Sequence, residues 1–275
     1  MSGKALHARW ILPFVAVIAG FVLWQGTRAE RWRAIRPGLE FTTIAGDPWC
    51  RFGSSAIAVL RADPHRVRLR AHHFRQTDLA QPPTILGWHD LTQATAVFNA
   101  GQYYPDWSYM GLLVGGGDTL SARRHSGFQG ALVARTRGGR SEAHVLDLAT
   151  QELERREGWS EVAQSFMLFD RKGGLRVRKS SRIANRTAVA EDEEGRLLVI
   201  VSEGGYTIAD FATLLQRSPL KLTHAMAMDG GLEAELVVQS RGFRYASFGH
   251  WPERGETTAP GANTPLPAVI TLEGQ

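Results

Sequence analysis

Short hydrophobic segments separated by turn residues run along most of this 275-residue chain, and they limit the folds open to it. Residues 66–71 (RVRLRA) alternate basic and apolar side chains, as a half-buried strand does. The clearest helical repeat is at 207–215, where Thr207 and Asp210 form a capping box, and a short helix or turn is predicted at 87–95. The predicted strands are 56–60, 66–71, 96–98, 111–114, 130–134, 143–148, 166–169, 187–191, 196–201, 223–228, 234–239, 243–247 and 267–272. We therefore predict an α+β fold, a strand-rich single domain with few helices.

An apolar run of 15 residues, 10–24 (WILPFVAVIAGFVLW), lies near the start of the chain. Its length falls between a signal-peptide core of about 7–15 residues and a membrane-spanning helix of about 20. The sequence predicts an N-terminal hydrophobic helix within a signal anchor or signal peptide over 1–25, a linker over 26–40 and a globular domain over 41–275. The segment is expected to anchor the protein in a membrane, with the globular domain outside the cytoplasm in the periplasm or the extracellular space. If the segment is cleaved, the domain is expected to be secreted.

The net charge of +5 does not indicate a nucleic-acid partner. Residues 1–36 carry the whole excess, whereas residues 37–275 balance 26 basic against 26 acidic side chains. The body of the protein therefore has no net charge to attract a polyanion. The single cysteine, Cys50, excludes an internal disulfide and any multi-cysteine metal site. No cofactor is predicted; a divalent metal is possible, but no ligand spacing supports one.

Three hydrophobic strands run into glycine and a polar residue, at 97–104 (VFNAGQYY), 200–205 (IVSEGG) and 225–231 (AMAMDGG). Glycine after a strand lets the backbone turn tightly or approach a ligand closely. A polar side chain at the end of a buried strand is often placed at a binding site, although turns also favour these residues. Arg186 precedes another predicted strand, and a guanidinium group is a natural partner of phosphate. These segments are therefore candidates for one shared site.

The order of these and other segments resembles that of the phosphodiester glycosidase family over about residues 36–272. The matching segments are 36–39 (RPGL), 56–64 (AIAVLRADP), 99–104 (NAGQYY), 110–114 (MGLLV), 164–168 (QSFML), 186–189 (RTAV), 205–215 and 225–231 (AMAMDGG). The last is the most specific of them. The chain departs from the family pattern at Ala100, where a glycine is usual, and at Leu232 and Glu233, where a further glycine and serine are usual.

The resemblance implies a hydrolase of a glycosyl-1-phosphodiester in the bacterial cell envelope, with the sugar released from the phosphate. It implies that Asp229 and Glu203 are the catalytic carboxylates and that Arg186 binds the leaving phosphate. The substrate-binding residues that it implies are Asn99, Gly101, Thr187, Gly230 and Gly231. The partners implied are a sugar phosphate or glycopolymer, and a membrane through the N-terminal segment.

Three alternatives remain open at this stage. A non-catalytic envelope module that binds a glycan or phosphorylated glycopolymer would keep Arg186 and Asn99. Glu233 could pair with Asp229, or Glu233 and Glu235 could be solvated turn or edge residues. The aromatic residues at 103, 104 and 107 could form a wall for a sugar ring, or could pack as ordinary core.

Overall fold

The computed structural model describes residues 31–153, 158–250 and 263–274. Strands dominate these residues, and the two α-helices among them are α1 (Ile85–Thr92) and α2 (Ile208–Arg217). In chain order, the strands are β1 (Arg33–Arg36), β2 (Leu39–Ala45), β3 (Phe52–Ala62), β4 (Val67–His73), β5 (Ala96–Asn99), β6 (Leu113–Gly115), β7 (Asp118–Ser121), β8 (Gly130–Arg137), β9 (Arg140–Asp147), β10 (Glu161–Phe169), β11 (Thr187–Asp192), β12 (Leu197–Gly205), β13 (Leu222–Ala227), β14 (Leu236–Ser240), β15 (Phe243–Ser247) and β16 (Ala268–Gly274). The predicted strand-rich domain with few helices is confirmed.

The strands form two antiparallel sheets. The first has the order β1-β2-β3-β12-β11-β13-β10-β6-β7, and β8 joins it beside β10 and pairs with β9. The second has the order β15-β14-β5-β16-β4. As a result, β11 and β13 are neighbours near the middle of the first sheet, and β5 is the central strand of the second.

The main hydrophobic core lies between the facing sides of the two sheets. Alternate residues of each strand enter it, because successive side chains on a strand point to opposite faces. On β3, Ala58 and Leu60 belong to this core, whereas Ile57 and Val59 belong to a second cluster on the other face. The alternation predicted for 66–71 is confirmed, since its apolar positions are buried and its arginines are more exposed.

One helix covers the outer face of each sheet. On the first sheet, α2 buries Phe211, Leu214 and Leu215, and the hydroxyl of Thr207 accepts a hydrogen bond from the Asp210 N–H at 3.1 Å. The helix and the Thr207 cap are as predicted, whereas the Asp210 carboxylate accepts from Arg51 at 3.0 Å, so only half of the predicted capping box is found among the described residues. On the second sheet, α1 buries Ile85 and Trp88 among side chains of β5, β14 and β16. The layers therefore follow the order helix, sheet, sheet, helix.

The first sheet begins inside the segment 26–40 that was predicted to be a linker. Strands β1 and β2 pair there across a tight turn at Pro37 and Gly38, and Gly38 has a φ of +80°. A Cβ at Gly38 would lie 2.6 Å from the Cβ of Arg66, so glycine is required at this turn. Strand β7, at residues 118–121, was also not predicted.

The predicted N-terminal helix and most of the predicted irregular segment at 251–265 lie outside the described residues. Within the part of the chain that the structure describes, neither α1 nor α2 is long and apolar enough to cross a membrane.

Candidate active site

Strand ends from both sheets meet at one place. Strand β5 of the second sheet ends at Asn99, β11 of the first begins at Thr187, and β13 ends two residues before Asp229. The backbone N–H of Asp229 donates to the carbonyl of Ala100 at 3.0 Å, and that of Met228 to the carbonyl of Thr187 at 2.9 Å. Two of the three glycine-containing segments that the sequence singled out, 97–104 and 225–231, are therefore joined directly.

The Asn99 side chain fastens this junction. It is 1% exposed, and its Nδ2 donates to the carbonyl oxygens of Ala100 at 3.1 Å and Asp229 at 3.0 Å. Its Oδ1 accepts from the Thr187 hydroxyl at 2.8 Å and from the Glu235 N–H at 3.2 Å. A primary amide has two N–H donors and two lone pairs on its oxygen, so these four bonds use its full capacity. The predicted substrate ligands Asn99 and Thr187 are thus bonded to each other.

Gly101 lies against a buried tyrosine. Its N–H donates to the Tyr109 hydroxyl at 3.1 Å, and this hydroxyl donates to the carbonyl of Gln164 at 2.9 Å. A Cβ at Gly101 would lie 2.5 Å from the Tyr109 oxygen, which leaves no space for a side chain. Gly101 therefore fixes the loop that follows β5.

The glycines after Asp229 also use their N–H groups internally. The Gly230 N–H donates to Oδ1 of Asp229 at 2.8 Å, and the Gly231 N–H to the carbonyl of Asn185 at 3.0 Å. Gly231 has a φ of +81°, which favours glycine. A Cβ at Gly230 would lie 2.8 Å from the carbonyl oxygen of Asn185 and 3.7 Å from Nη1 of Arg186. The absence of a side chain here therefore lets the Asn185 carbonyl pack against Gly230, one residue after Asp229.

The Thr187→Val variant should test the bond between the two sheets. Valine keeps the shape of threonine but removes the donor to the buried oxygen of Asn99, so we expect a loss of about 1–2 kcal/mol in the free energy of unfolding. Urea denaturation would measure it, with Thr187→Ser, which keeps the hydroxyl, as the control. Equal unfolding midpoints for the valine variant and the wild type would contradict this role.

Asp229 is partly buried among charged groups. Burial, together with the nearby carboxylate of Glu233, raises the pKa of Asp229 to about 7, against the opposing effects of the Gly230 N–H and of Arg182 and Arg186. Close to neutral pH, this carboxyl group can therefore both accept and release a proton. A group with such a pKa is suited to proton transfer.

The Arg186 guanidinium is held near Asp229 by the backbone carbonyl groups of two other residues. Its Nε donates to the carbonyl of Tyr206 at 3.0 Å, and its Nη2 to the carbonyl of Arg182 at 2.9 Å. Burial and the charge of Arg182 lower the pKa of Arg186 to about 10, so the guanidinium stays positive at neutral pH. Arg182 lies close enough to act electrostatically on both Arg186 and Asp229, and it was not among the predicted site residues.

Glu203 and Glu233 occupy different surroundings. The Glu203 carboxylate accepts a hydrogen bond from the Tyr245 hydroxyl at 2.7 Å, and it is not among the charges that shift the pKa of Asp229. Glu233 is among them, and it lies in a 3-10 turn, Gly231–Glu233, directly after Asp229. The carboxylate pair that the structure brings together is thus Asp229 with Glu233, which the sequence offered as an alternative to Asp229 with Glu203.

An aromatic pair lies next to Glu233. The Tyr103 hydroxyl donates to Oε1 of Glu233 at 3.0 Å, and the Tyr103 and Trp107 rings are 5.5 Å apart between centroids. Burial and the charge of Glu233 raise the pKa of the Tyr103 phenol, so it remains a donor. Tyr104 instead lies near Arg123, whose guanidinium is 5.2 Å from the ring centroid. Tyr103 therefore contacts one of the carboxylates, and Trp107 packs against Tyr103 and against the hydrophobic cluster beneath α1.

The side chains of the described ranges include no group of three or more histidine, cysteine, aspartate or glutamate residues arranged to hold a metal ion.

Solved structures share this fold at low sequence identity. A hypothetical protein from Synechocystis has a TM-score of 0.63 and 12% identity over 90% of this chain, which spans only 64% of that protein. The catalytic domain of zebrafish N-acetylglucosamine-1-phosphodiester alpha-N-acetylglucosaminidase, auto-inhibited by its pro-peptide, has a TM-score of 0.62 and 15% identity over 92% of this chain and 91% of its own. An exported protein from Burkholderia pseudomallei has a TM-score of 0.52 and 14% identity over 83% of this chain and 75% of its own.

A family comparison identifies the chain where individual sequences do not. No curated protein matches it. The model of the phosphodiester glycosidase family matches residues 92–267, which is more than half of the chain and includes Arg186, Asp229 and Glu233. The resemblance noted in the sequence is confirmed: the chain belongs to the phosphodiester glycosidase family and is a hydrolase of the glycosidase type.

Proposed function

We propose that the protein hydrolyses a glycosyl-1-phosphodiester and releases the sugar from the phosphate. The observation that carries this proposal is the presence of the Asp229 carboxylate and the Arg186 guanidinium at one junction of strand ends. The substrate has an anionic phosphate, and its sugar carbon becomes positively charged as the glycosidic bond breaks. The reaction therefore needs a cation and an anion close together, and these two side chains supply them.

The phosphate is proposed to bind at the arginine side of the site. Two bonds to carbonyl groups fix the Arg186 guanidinium, and within the described residues its Nη1 makes no hydrogen bond. Nη1 is thus available to a phosphate oxygen, with Arg182 adding positive charge. A guanidinium whose direction is already fixed loses little further freedom when it binds the anion.

Asp229 is proposed to act on the sugar carbon, as a base for the attacking water or as a nucleophile. The phosphate monoester that departs is a good leaving group, so the reaction depends less on an acid that protonates it than on this carboxylate. In the overall reaction the bond from C1 to the phosphate oxygen breaks, the oxygen of water bonds to C1, and the products are the free sugar and a phosphate monoester. Glu203, the other predicted catalytic carboxylate, is proposed to have no direct part because its charge is not among those that shift the pKa of Asp229, whereas the charge of Glu233 is.

The predicted substrate ligands are proposed to act as a scaffold instead. The side chains of Asn99 and Thr187 are bonded to each other, and the N–H groups of Gly101, Gly230 and Gly231 have internal partners. A substrate could use these groups only by replacing existing bonds. Their contribution is to hold Asp229 and the loop after β5 at fixed positions.

The name of the zebrafish enzyme states that it acts on an N-acetylglucosamine phosphodiester. This supports an amino sugar or a related hexose as the sugar of the present substrate. We also propose that residues 10–24 hold the domain outside the cytoplasm, in a bacterial envelope. The support is the apolar run itself, and fusion to a reporter phosphatase that is active only outside the cytoplasm would test it.

The experiment that tests the function is hydrolysis in ¹⁸O-labelled water. The purified protein is incubated with methyl phosphodiesters of α-glucose, α-glucosamine and α-N-acetylglucosamine. We expect release of the free sugar, and methyl phosphate that contains no label, because the cleaved bond is C1–O. Label in methyl phosphate would show cleavage at phosphorus, and saturable binding without turnover would favour the binding module instead.

A further inference from the structure

Among the residues that the structure describes, Glu233 is an acidic group with no ion pair to a basic side chain. Its side chain is partly buried, and the hydrogen bond found for it within the described residues comes from the uncharged Tyr103 hydroxyl. The ionisable neighbours that act with it are two further acids, Asp229 and Glu235. The negative charge of Glu233 raises the pKa of both neighbours, and a partly buried charge of this kind is stabilised when a cation joins it.

The arginines do not supply that cation. Arg182 and Arg186 come from the segment before β11 and act on Asp229, and no ion pair with either reaches Glu233 in the part of the chain that the structure describes. The site thus has a region where guanidinium groups lie beside Asp229, and another where Glu233 lies beside aromatic rings. A ligand that complements both regions carries a negative group and a positive group.

The aromatic part of this second region is held rigidly. Trp107 has a φ of +65°, which is uncommon for a bulky residue and is maintained by its surroundings. Its carbonyl lies 3.1 Å from Nε2 of His73, and the neighbouring Asp106 carbonyl accepts from Arg75 at 2.8 Å. The Nδ1 of His73 accepts from the Arg75 N–H, so Nε2 carries the proton that it donates to Trp107. The loop is therefore fixed with Trp107 against Tyr103 before any ligand binds.

We propose that the sugar of the substrate carries a protonated amino group, which Glu233 binds beside the Tyr103–Trp107 pair. Aromatic faces attract an ammonium group through their negative electrostatic potential, and a carboxylate adds a charge-assisted hydrogen bond. The phosphodiester of the same molecule then lies at Arg186. This inference rests on the proposed function, since it names the sugar of that reaction. It predicts a sugar with a free amino group rather than one with a hydroxyl or an N-acetyl group in its place.

The ratio of kcat/KM between two substrates tests the inference. The probes are the methyl phosphodiesters of α-glucosamine, α-glucose and α-N-acetylglucosamine. We expect the wild type to prefer the glucosamine compound by about 10-fold or more, and Glu233→Gln to bring the ratio close to one. Glutamine keeps an oxygen for the Tyr103 hydroxyl but has no charge. A purely structural role for Glu233 would lower all three rates together and leave the ratio unchanged, which would overturn the inference.

Binding measurements keep this test independent of turnover. Calorimetry with the Asp229→Asn variant and the same three compounds should show tighter binding of the glucosamine compound, and Glu233→Gln in that background should abolish the preference. The matched control is the substitution Glu193→Gln at an exposed position. It should change neither the ratio of kcat/KM values nor the ratio of binding affinities between the glucosamine compound and the other two. If no compound is hydrolysed by the wild type, the proposed function fails, but the calorimetric preference still decides the inference. Equal binding of the three compounds, or no measurable binding of the glucosamine compound, would overturn it.

Discussion

Replacing Asp229 with asparagine is expected to lower kcat/KM for a glycosyl-1-phosphodiester by about a thousandfold, the scale seen when a proton-transfer group is lost. Asparagine has nearly the same shape, and its side-chain oxygen can still accept from the Gly230 N–H, so the loop should keep its conformation. It cannot take up a proton or stabilise positive charge at the sugar carbon. Steady-state rates with a methyl glycosyl phosphodiester would measure the effect.

The same variant should be at least as stable as the wild type. The pKa of Asp229 is about 7 in the folded protein and near 3.8 in an unfolded chain. Between these values the folded state holds a proton that the unfolded state has lost, so stability falls as the pH rises through this window. Asp229→Asn removes that loss, and its melting temperature at pH 7 should equal or exceed that of the wild type. The exposed Asp78→Asn is the control for a simple change of charge, and an Asp229→Asn variant that hydrolyses at the wild-type rate would refute the mechanism.

Replacing Glu235 with glutamine is expected to stabilise the protein increasingly as the pH rises. Glu235 is 0% exposed, and no hydrogen-bond partner is found for either of its carboxyl oxygens within the described residues. Burial and the charge of Glu233 raise the pKa of Glu235 to about 9, whereas an unfolded chain ionises this group near pH 4.5. Between these two values the unfolded state alone loses the proton, so the wild type loses up to about 1.4 kcal/mol per pH unit from this group.

Urea denaturation at several pH values between 4 and 8 would measure this difference. We expect the Glu235→Gln variant and the wild type to have similar free energies of unfolding at pH 4, and to differ by several kcal/mol at pH 8. The contributions of the other titrating groups to the free energy of unfolding cancel in this difference, because the two proteins share those groups. The exposed Glu193→Gln should follow the wild-type curve throughout. Parallel curves for Glu235→Gln and the wild type would show that Glu235 is ionised in the folded protein.

Most strands could be predicted from the sequence because their side chains alternate or form short apolar runs, as at 66–71 and 187–191. The sequence predicts a linker over β1 and the start of β2, because a segment with several arginines before Pro37 and Gly38 is typical of solvent-exposed chain. In the folded protein the guanidinium of Arg33 lies 4.8 Å from the Phe243 ring centroid, which accounts for one of these charges. Such a contact depends on a residue more than two hundred positions away, and no local pattern reports it.

The candidate site could be predicted only in part, because local sequence patterns mark the ends of strands but not the contacts between distant residues. Asn99, Arg186 and Asp229 follow or precede hydrophobic strands, and this local signal identified them. Whether a group faces a ligand or is bonded within the protein depends on tertiary contacts, so the roles of Asn99 and Thr187 could not be derived from spacing. The preference for Glu233 over Glu203 as the neighbour of Asp229 likewise required the fold, because only the tertiary structure shows which carboxylate acts on Asp229.

The hydrogen bond between Asn99 and Thr187 joins the two sheets, so the geometry of the candidate site depends on both of them. Asp229 is positioned from the first sheet and fastened by a residue of the second, so neither half can hold it alone. Catalytic competence should consequently appear late in refolding, when the two sheets dock. A chain cut between β9 and β10, which places Asn99 on one fragment and Thr187 and Asp229 on the other, should regain activity only if both fragments reassociate.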